Sequence, residues 1–457
     1  MIFLSRLPFI GIGYGSEEDA WGLRVTAESI SRSGNYEVSR LPGHPFQELI
    51  YSQLWQFGPL AFNLLTLLLS IAGIAFFIFS LKKLNITSYN SAGLTLAFTP
   101  IIYINSLNAM DYTWAMSLVL IAFYLLISGR ILWAGIFLGC AVGCRLTSGA
   151  MLLPFIYYIL TGAKVRSPFR DVILICSSAL LISALLFLPV FLTYGTSFFS
   201  YYEHFSIPSV VKNFYKGTIG VWGLIGFIAI CAGLTAAVLT TMKKHKSGTL
   251  YIYNNRLFLI SAMVIILYII SFYRLPLKSA FLIPIIPFVI LILAQNLKKA
   301  WMSGLAITMI ISCFAFGINL SDPNRGSAES SLAFIVSSGE QNVSIDPLIG
   351  LVLADYTKQK KMIDYSKEVI SVSSKLKDPS VIISGWYLNF ILTLQEKNKG
   401  RHDFVYYVDE TALRHYKSKG VKIYYLAGQN IFNDLRFNAS FTDQYAEPLE
   451  VKDDRMQ

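Results

Sequence analysis

The chain has 457 residues, of which 54% are hydrophobic and only 14% charged. An ordinary soluble domain carries about 25% charged residues, so this composition excludes a protein that is soluble throughout. The formal net charge of +11 lies in short loops between apolar runs, which is a pattern of membrane orientation and not of a nucleic-acid-binding face.

Taken in chain order, the apolar runs predict about eleven membrane-spanning helices. They cover 2–14, 59–81, 91–104, 113–127, 131–144, 146–161, 172–194, 219–241, 257–273, 280–295 and 300–319. The first is short for a span of about 20 residues, so it is expected as a tilted, packed helix unless the start is late. All five cysteines (Cys140, Cys144, Cys176, Cys231 and Cys313) fall inside these runs, which argues against a disulfide framework. Cys140 and Cys144 stand one helical turn apart with no nearby His, and read as small packing residues.

Every second loop is basic: Lys82 and Lys83, Arg130, Lys164 with Arg166 and Arg170, Lys243 and Lys244 with Lys246 and Arg256, then Lys298 and Lys299. The positive-inside rule puts these in the cytoplasm. The segments 15–57, 105–112, the turn around 145, 195–218, 274–279 and everything after about 320 then face outward.

The first outward segment holds the most chemistry. Ser16 with Asp19 three residues on is arranged like a capping box. Ala20, Leu23, Ala27 and Ile30 follow at helical spacing and Gly34 supplies a stop, so a short amphipathic helix along the membrane surface is expected. Its first turn gathers Glu17, Glu18 and Asp19, where a single acid would satisfy the helix dipole. Further on, Pro42 and Pro45 around Gly43 give a rigid turn that fixes Arg40 and His44, with Glu48 next in line. Arg40, His44 and Glu48 are therefore candidates to bind phosphate or hydroxyl groups.

Four other positions stand out. Asp111 lies in the second outward loop. Arg145 sits at the outer end of a span, where an ionisable residue is costly unless it faces protein or water. Arg274 and Lys278 flank Pro276 in a short outward loop, which positive-inside logic would leave without cations. The aromatic stretch 198–205, with Tyr202 and His204, would guide a lipid substrate or, on the favoured reading, form part of an interfacial aromatic belt.

From about 321 the chain turns polar. A long amphipathic helix is expected over 348–376, strands at 381–384, 404–408 and 421–426, and helices between the strands. That alternation predicts a small parallel α/β unit. It has no Gly-rich phosphate loop and no nucleophile elbow, so an accessory lid or binding domain is favoured over a second active site. The expected architecture is thus a polytopic α-helical membrane part, 1–320, followed by a soluble extracytoplasmic α/β domain, 321–457.

Several stretches in order carry a resemblance: Glu18-Asp19, Gly34-Asn-Tyr, Ser39-Arg-Leu-Pro-Gly-His-Pro, Asn108-Ala-Met-Asp111, Gly143-Cys-Arg145-Leu-Thr, and Arg274-Leu-Pro-Leu-Lys278 followed by Leu282-Ile-Pro-Ile-Ile-Pro. With the short first helix and the outward acidic loop, they resemble the C-type glycosyltransferases (GT-C). These are membrane enzymes that use polyprenyl-phosphate sugars, among them protein O-mannosyltransferases and lipid A aminoarabinose transferases. The resemblance covers about two-thirds of the chain. It implies sugar transfer at the outer membrane face to a glycan, lipid or protein acceptor, with an essential first-loop acid that falls on Asp19. Glu18 stands beside it as the alternative base. It also implies Arg145, Arg274 and Lys278 as cations for the donor phosphate. Metal-free catalysis is favoured because a monophosphate-linked donor has little charge to neutralise; a divalent cation, Mg or Mn, held by Asp19 and Asp111 is the other option. A flippase or transporter of lipid-linked sugars is the rival function, but it would call for internal repeats and mid-membrane charges. A non-enzymatic assembly or sensor protein is a second rival.

Overall fold

The computed structural model describes residues 1–162, 167–196, 209–245, 256–321, 330–338, 341–395, 402–426 and 448–450. Tyr202 and His204 lie outside the described residues.

The apolar stretch at 2–14 forms no helix long enough to cross a membrane. It makes a five-residue helix, α1 (Ile2–Arg6), and a 3-10 turn at Leu7–Phe9. Pro8 and the glycines at 11, 13 and 15 end the helix. Asn63 then ties the strand of chain down, donating from Nδ2 to Ile10 O at 2.9 Å and to Gly13 O at 2.7 Å. Arg6 is fully buried and has no acidic partner among the described residues. Its guanidinium donates instead to Ser106 Oγ, Ile2 O and Ala97 O, and lies 4.1 Å from the centre of the Tyr103 ring.

Two helices of the first loop follow, α2 (Glu18–Ser33) and α3 (Pro45–Ser52). The spacing of Ala20, Leu23, Ala27 and Ile30 does give α2 a buried stripe, and Gly34 ends it in the left-handed region with φ +72°, its N–H on Ile30 O. The expected capping box does not form. Glu17 is the N-cap and caps with no side-chain bond, while Ser16 Oγ donates to Asp355, far away in sequence.

The bundle proper begins with α4 (Gly58–Lys83). The run 91–104 is split by Pro100 into α5 (Tyr89–Ala97) and α6 (Pro100–Asn105). Next come α7 (Asp111–Ile127), α8 (Ile131–Cys144), α9 (Leu152–Leu160) and α10 (Pro168–Tyr194). The chain continues as α11 (Val210–Gly217), α12 (Ile219–Trp222), α13 (Leu224–His245), α14 (Arg256–Arg274), α15 (Ile286–Asn296) and α16 (Lys299–Phe314). Among the described residues four stretches are long and apolar enough to cross a membrane: 55–83, 168–194, 256–274 and 279–296. A fifth is reached if 210–222 and 224–240, bent by 85° about Gly223, count as one span. The helices at 111–127, 131–144, 146–160 and 299–314 are apolar but shorter. The expectation of about eleven membrane-spanning helices is thus met only in part among the described residues, where Pro100 and Gly223 break apolar runs into pieces.

A glycine row fixes the closest of these packings. Gly135, Gly139 and Gly143 recur every fourth residue along α8 and face α10. A Cβ at Gly135 would come within 2.8 Å of Ile175 O, and one at Gly139 within 2.9 Å of Ala179 O. The two backbones can approach this closely only because those side chains are missing.

Beyond the bundle, β1 (Gly317–Ser321), β2 (Phe334–Ser338) and β3 (Gln341–Asp346) form an antiparallel sheet in the order β1-β3-β2, which the sequence reading left out. Helix α17 (Leu351–Ser373) follows, then β4 (Ser380–Ile383), α18 (Leu388–Leu394), β5 (His402–Val405), α19 (Glu410–Ser418), β6 (Lys422–Tyr425) and β7 (Leu449–Glu450). The second sheet runs β5-β4-β6-β7, with β4 parallel to both its neighbours. Helices α18 and α19 make the two crossovers that parallel pairing demands. Helix α18 lies against α2, where Phe390 stacks on Trp21 with ring centres 4.4 Å apart.

Candidate active site

Helix geometry brings distant residues to one end of the bundle. Helix α7 leaves that end at Asp111 and, with 17 residues, reaches about 25 Å before the turn at Arg130. Helix α8 returns to the same end and stops at Cys144, so Arg145 arrives beside Asp111, with its Nη1 2.7 Å from Asp111 Oδ2. The Leu41–Pro42 bond is cis, and the turn it belongs to delivers Arg40. Arg40 bridges the two acids: Nη1 is 3.1 Å from Asp19 Oδ2, and Nη2 contacts Asp111 Oδ1. Lys278, in the turn after α14, donates to Asp19 Oδ2 at 2.6 Å and also pairs with Glu17.

The result is one continuous chain of charge, Glu17–Lys278–Asp19–Arg40–Asp111–Arg145. It joins three acids with three cations drawn from four separate stretches of sequence. Asp111 is buried, with a side chain 1% exposed, and it needs both arginines to offset the loss of water. Asp19 keeps 26% of its side chain exposed and, unlike Asp111, can be reached by solvent or a ligand. Burial works against its ionisation, but the Arg40 and Lys278 charges outweigh it and hold the carboxyl down at about 2. Burial likewise opposes the Lys278 charge, which Glu17 and Asp19 restore, so its pKa lies above the usual lysine range.

Arg145 is also sandwiched by rings. Its Cζ lies 4.6 Å from the centres of both Tyr112 and Phe281. Each such cation–π contact contributes about 0.5–2 kcal/mol, and together they hold the guanidinium plane in place. His44 is buried and donates from Nδ1 to Cys144 O at 2.6 Å. Burial lowers its pKa, so it is neutral, and its 3.8 Å approach to Asp111 is not an ion pair.

Two acids that the sequence singled out serve other surroundings. Glu48 reaches back over its own loop to Ser39 N at 2.8 Å, Ser39 Oγ at 2.7 Å, His44 N at 3.1 Å and the Tyr36 hydroxyl. It fastens the turn that carries Arg40. Glu18 is buried and faces away from Asp19, accepting from Asn389 Nδ2 of α18 at 2.8 Å. Burial, and next the Asp19 charge, push its carboxyl up to about 8. Arg274 is exposed at the end of α14 and stands outside the charge chain among the described residues.

Of the residues that the sequence singled out, Asp19, Arg40, His44, Asp111, Arg145 and Lys278 stand together at this end of the bundle. Glu17, Tyr112, Phe281 and Asn389 were not among the site residues expected. Tyr112 and Phe281 could have been suspected from their places beside Asp111 and three residues after Lys278. Arg40 occupies the bridge between Asp19 and Asp111, and among the described residues no three His, Cys, Asp or Glu side chains converge.

Fold and site together define a polytopic helical membrane protein with an acid–cation cluster at one end of its bundle. The chain is similar to the crystal structure of ArnT from Cupriavidus metallidurans in the apo state, with a TM-score of 0.59 and 10% identity over 93% of this chain and 92% of that one. It is similar also to ArnT from the same organism bound to undecaprenyl phosphate, with a TM-score of 0.57 and 11% identity over the same shares. No family model matches the chain. No curated protein matches it. The likeness is one of fold.

Proposed function

We propose that this protein transfers a sugar from a polyprenyl-phosphate donor to an acceptor hydroxyl at the outer membrane face, with Asp19 as general base. The single observation that carries the reading is the placing of Asp19, partly exposed, between Arg40 and Lys278 in the charge chain. The fold shared with an ArnT that binds undecaprenyl phosphate supports a lipid-phosphate ligand. The basic loops at Lys82–Lys83, Arg130 and Lys298–Lys299, at the other ends of the helices that build the site, support the outer face.

In this reaction the acceptor oxygen bonds to the anomeric carbon of the sugar while its proton passes to Asp19. The bond from that carbon to the phosphate oxygen breaks, and its electron pair leaves with the polyprenyl phosphate. Lys278, Arg40 and Arg145 offset the charge that grows on the phosphate. A carboxylate held at about 2 is a weak base. The donor phosphate competes with Asp19 for Lys278 and Arg40, so donor binding itself loosens Asp19 and raises its basicity. The acceptor is a glycan, a lipid or a protein.

Transfer by purified full-length protein in proteoliposomes, offered polyprenyl-phosphate sugars, tests this. Asp19→Asn should lower kcat by on the order of 10²–10⁴-fold with folding and donor binding retained. Wild-type kcat in that variant would overturn the mechanism. Movement of donor across the bilayer by wild-type protein, without transfer, would favour the transporter instead.

A further inference from the structure

The seam between α2 and the C-terminal unit holds buried polar groups that take no part in the reaction proposed above. Glu18 and Asp19 are neighbours on the first turn of α2, so their side chains leave it about 100° apart. Asp19 faces the cations and Glu18 faces Asn389. Whatever fixes Glu18 therefore fixes the rotation of the turn that aims Asp19.

That turn lacks the bond that would orient it locally. Its N-cap, Glu17, makes no side-chain capping bond, and the Ser16 hydroxyl donates instead to Asp355 on α17. One turn after Glu18, a Cβ at Gly22 would meet Asn389 Nδ2 at 2.9 Å, so the helix is pressed directly onto that amide. Trp21, between them, stacks on Phe390 and donates from Nε1 to Gly15 O at 2.8 Å. On the approach to the turn, a Cβ at Gly13 would lie 3.0 Å from Gln359 Nε2 and 3.0 Å from Ile363 Cδ1. Contacts from α17 and α18 thus hold the turn on the sides away from the cations.

We infer that Asn389 and Asp355 are positioning residues, through which the C-terminal unit sets the placement of Asp19 by way of Glu18 and Ser16. The inference rests on the reading of Asp19 as the base. It gives the C-terminal unit a part in the reaction without any contact to the reacting atoms. The protonated state that burial favours for Glu18 suits the arrangement, because a neutral carboxyl accepts from Asn389 without drawing Lys278 away from Asp19.

Hydrogen exchange of the amides in 17–22 and steady-state transfer, both on the purified full chain, test it together. Asn389→Ala and Asp355→Ala should speed exchange in 17–22 while leaving α7 and α8 as in wild type. They should lower kcat on the order of 10- to 100-fold with donor KM little changed. Asp355→Asn, whose side-chain carbonyl still accepts from Ser16, should restore both. In a double-mutant cycle on kcat, Asn389→Ala and Glu18→Ala should be strongly non-additive. Unchanged exchange in 17–22 in both alanine variants overturns the inference whatever the activity. Faster exchange in a protein whose wild type transfers no sugar overturns the transferase reading alone.

Discussion

Asp19 is restrained by the same cations that make it useful. Lys278→Met removes one of them, so the Asp19 pKa should rise from about 2 toward the ordinary carboxylate range. The acid limb of kcat/KM reports the free enzyme and should move to higher pH with it, which a pH profile of wild type and variant will show. Glu18 bears on stability with the opposite sign. Its folded-state pKa of about 8 lies above its ordinary 4.5, so between those values the folded chain binds more protons than the unfolded one. Stability from this group is fully present below the lower value and is lost as pH rises through the upper. Thermal midpoints should therefore fall between about pH 5 and about pH 9. Glu18→Gln should flatten that slope, and an unchanged slope would refute the assignment. These charged residues were legible because acids and cations are conspicuous in a chain that is 14% charged. The rings around Arg145 were not, since aromatics also make up 14% of the residues and most of them simply pack.

At the scale of elements, the α8–α10 seam carries Arg145 into the site. Gly139→Leu would drive a side chain into Ala179 O and Ile182, so the helices must part and Arg145 must leave Asp111. Lower yield of folded protein, a lower thermal midpoint and loss of transfer are expected together. Gly143→Ala should be milder, because a Cβ there meets only side chains, nearest Leu186 Cδ1 at 2.4 Å. The glycine row could be read from spacing alone, but its partner helix could not. Helix boundaries were legible where one apolar run equals one helix, as in α4 and α10. They failed at Pro100 and Gly223, where a single run holds two helices, and at Ser16, whose partner lies on a helix more than 300 residues away.

Across the whole molecule, the basic loops and the charge chain lie at opposite ends of α4, α7 and α8. A membrane-impermeant maleimide should therefore label Lys360→Cys on α17 in right-side-out vesicles, and Lys83→Cys only after lysis. Labelling of Lys83→Cys from outside would invert the topology and remove the outer-face site. The strands and helices after about 348 were legible from their alternating composition, whereas β2 and β3 before them were not. Their docking on α2 was not, because Asn389 and Asp355 are ordinary polar residues until the fold sets them against Glu18 and Ser16. Arg6 carries a consequence for assembly. Its guanidinium is enclosed by Ala97, Tyr103 and Ser106, which lie some ninety to a hundred residues further along the chain. A cation cannot rest in an apolar interior without such partners, so α1 settles there only once α5 and α6 have closed over it.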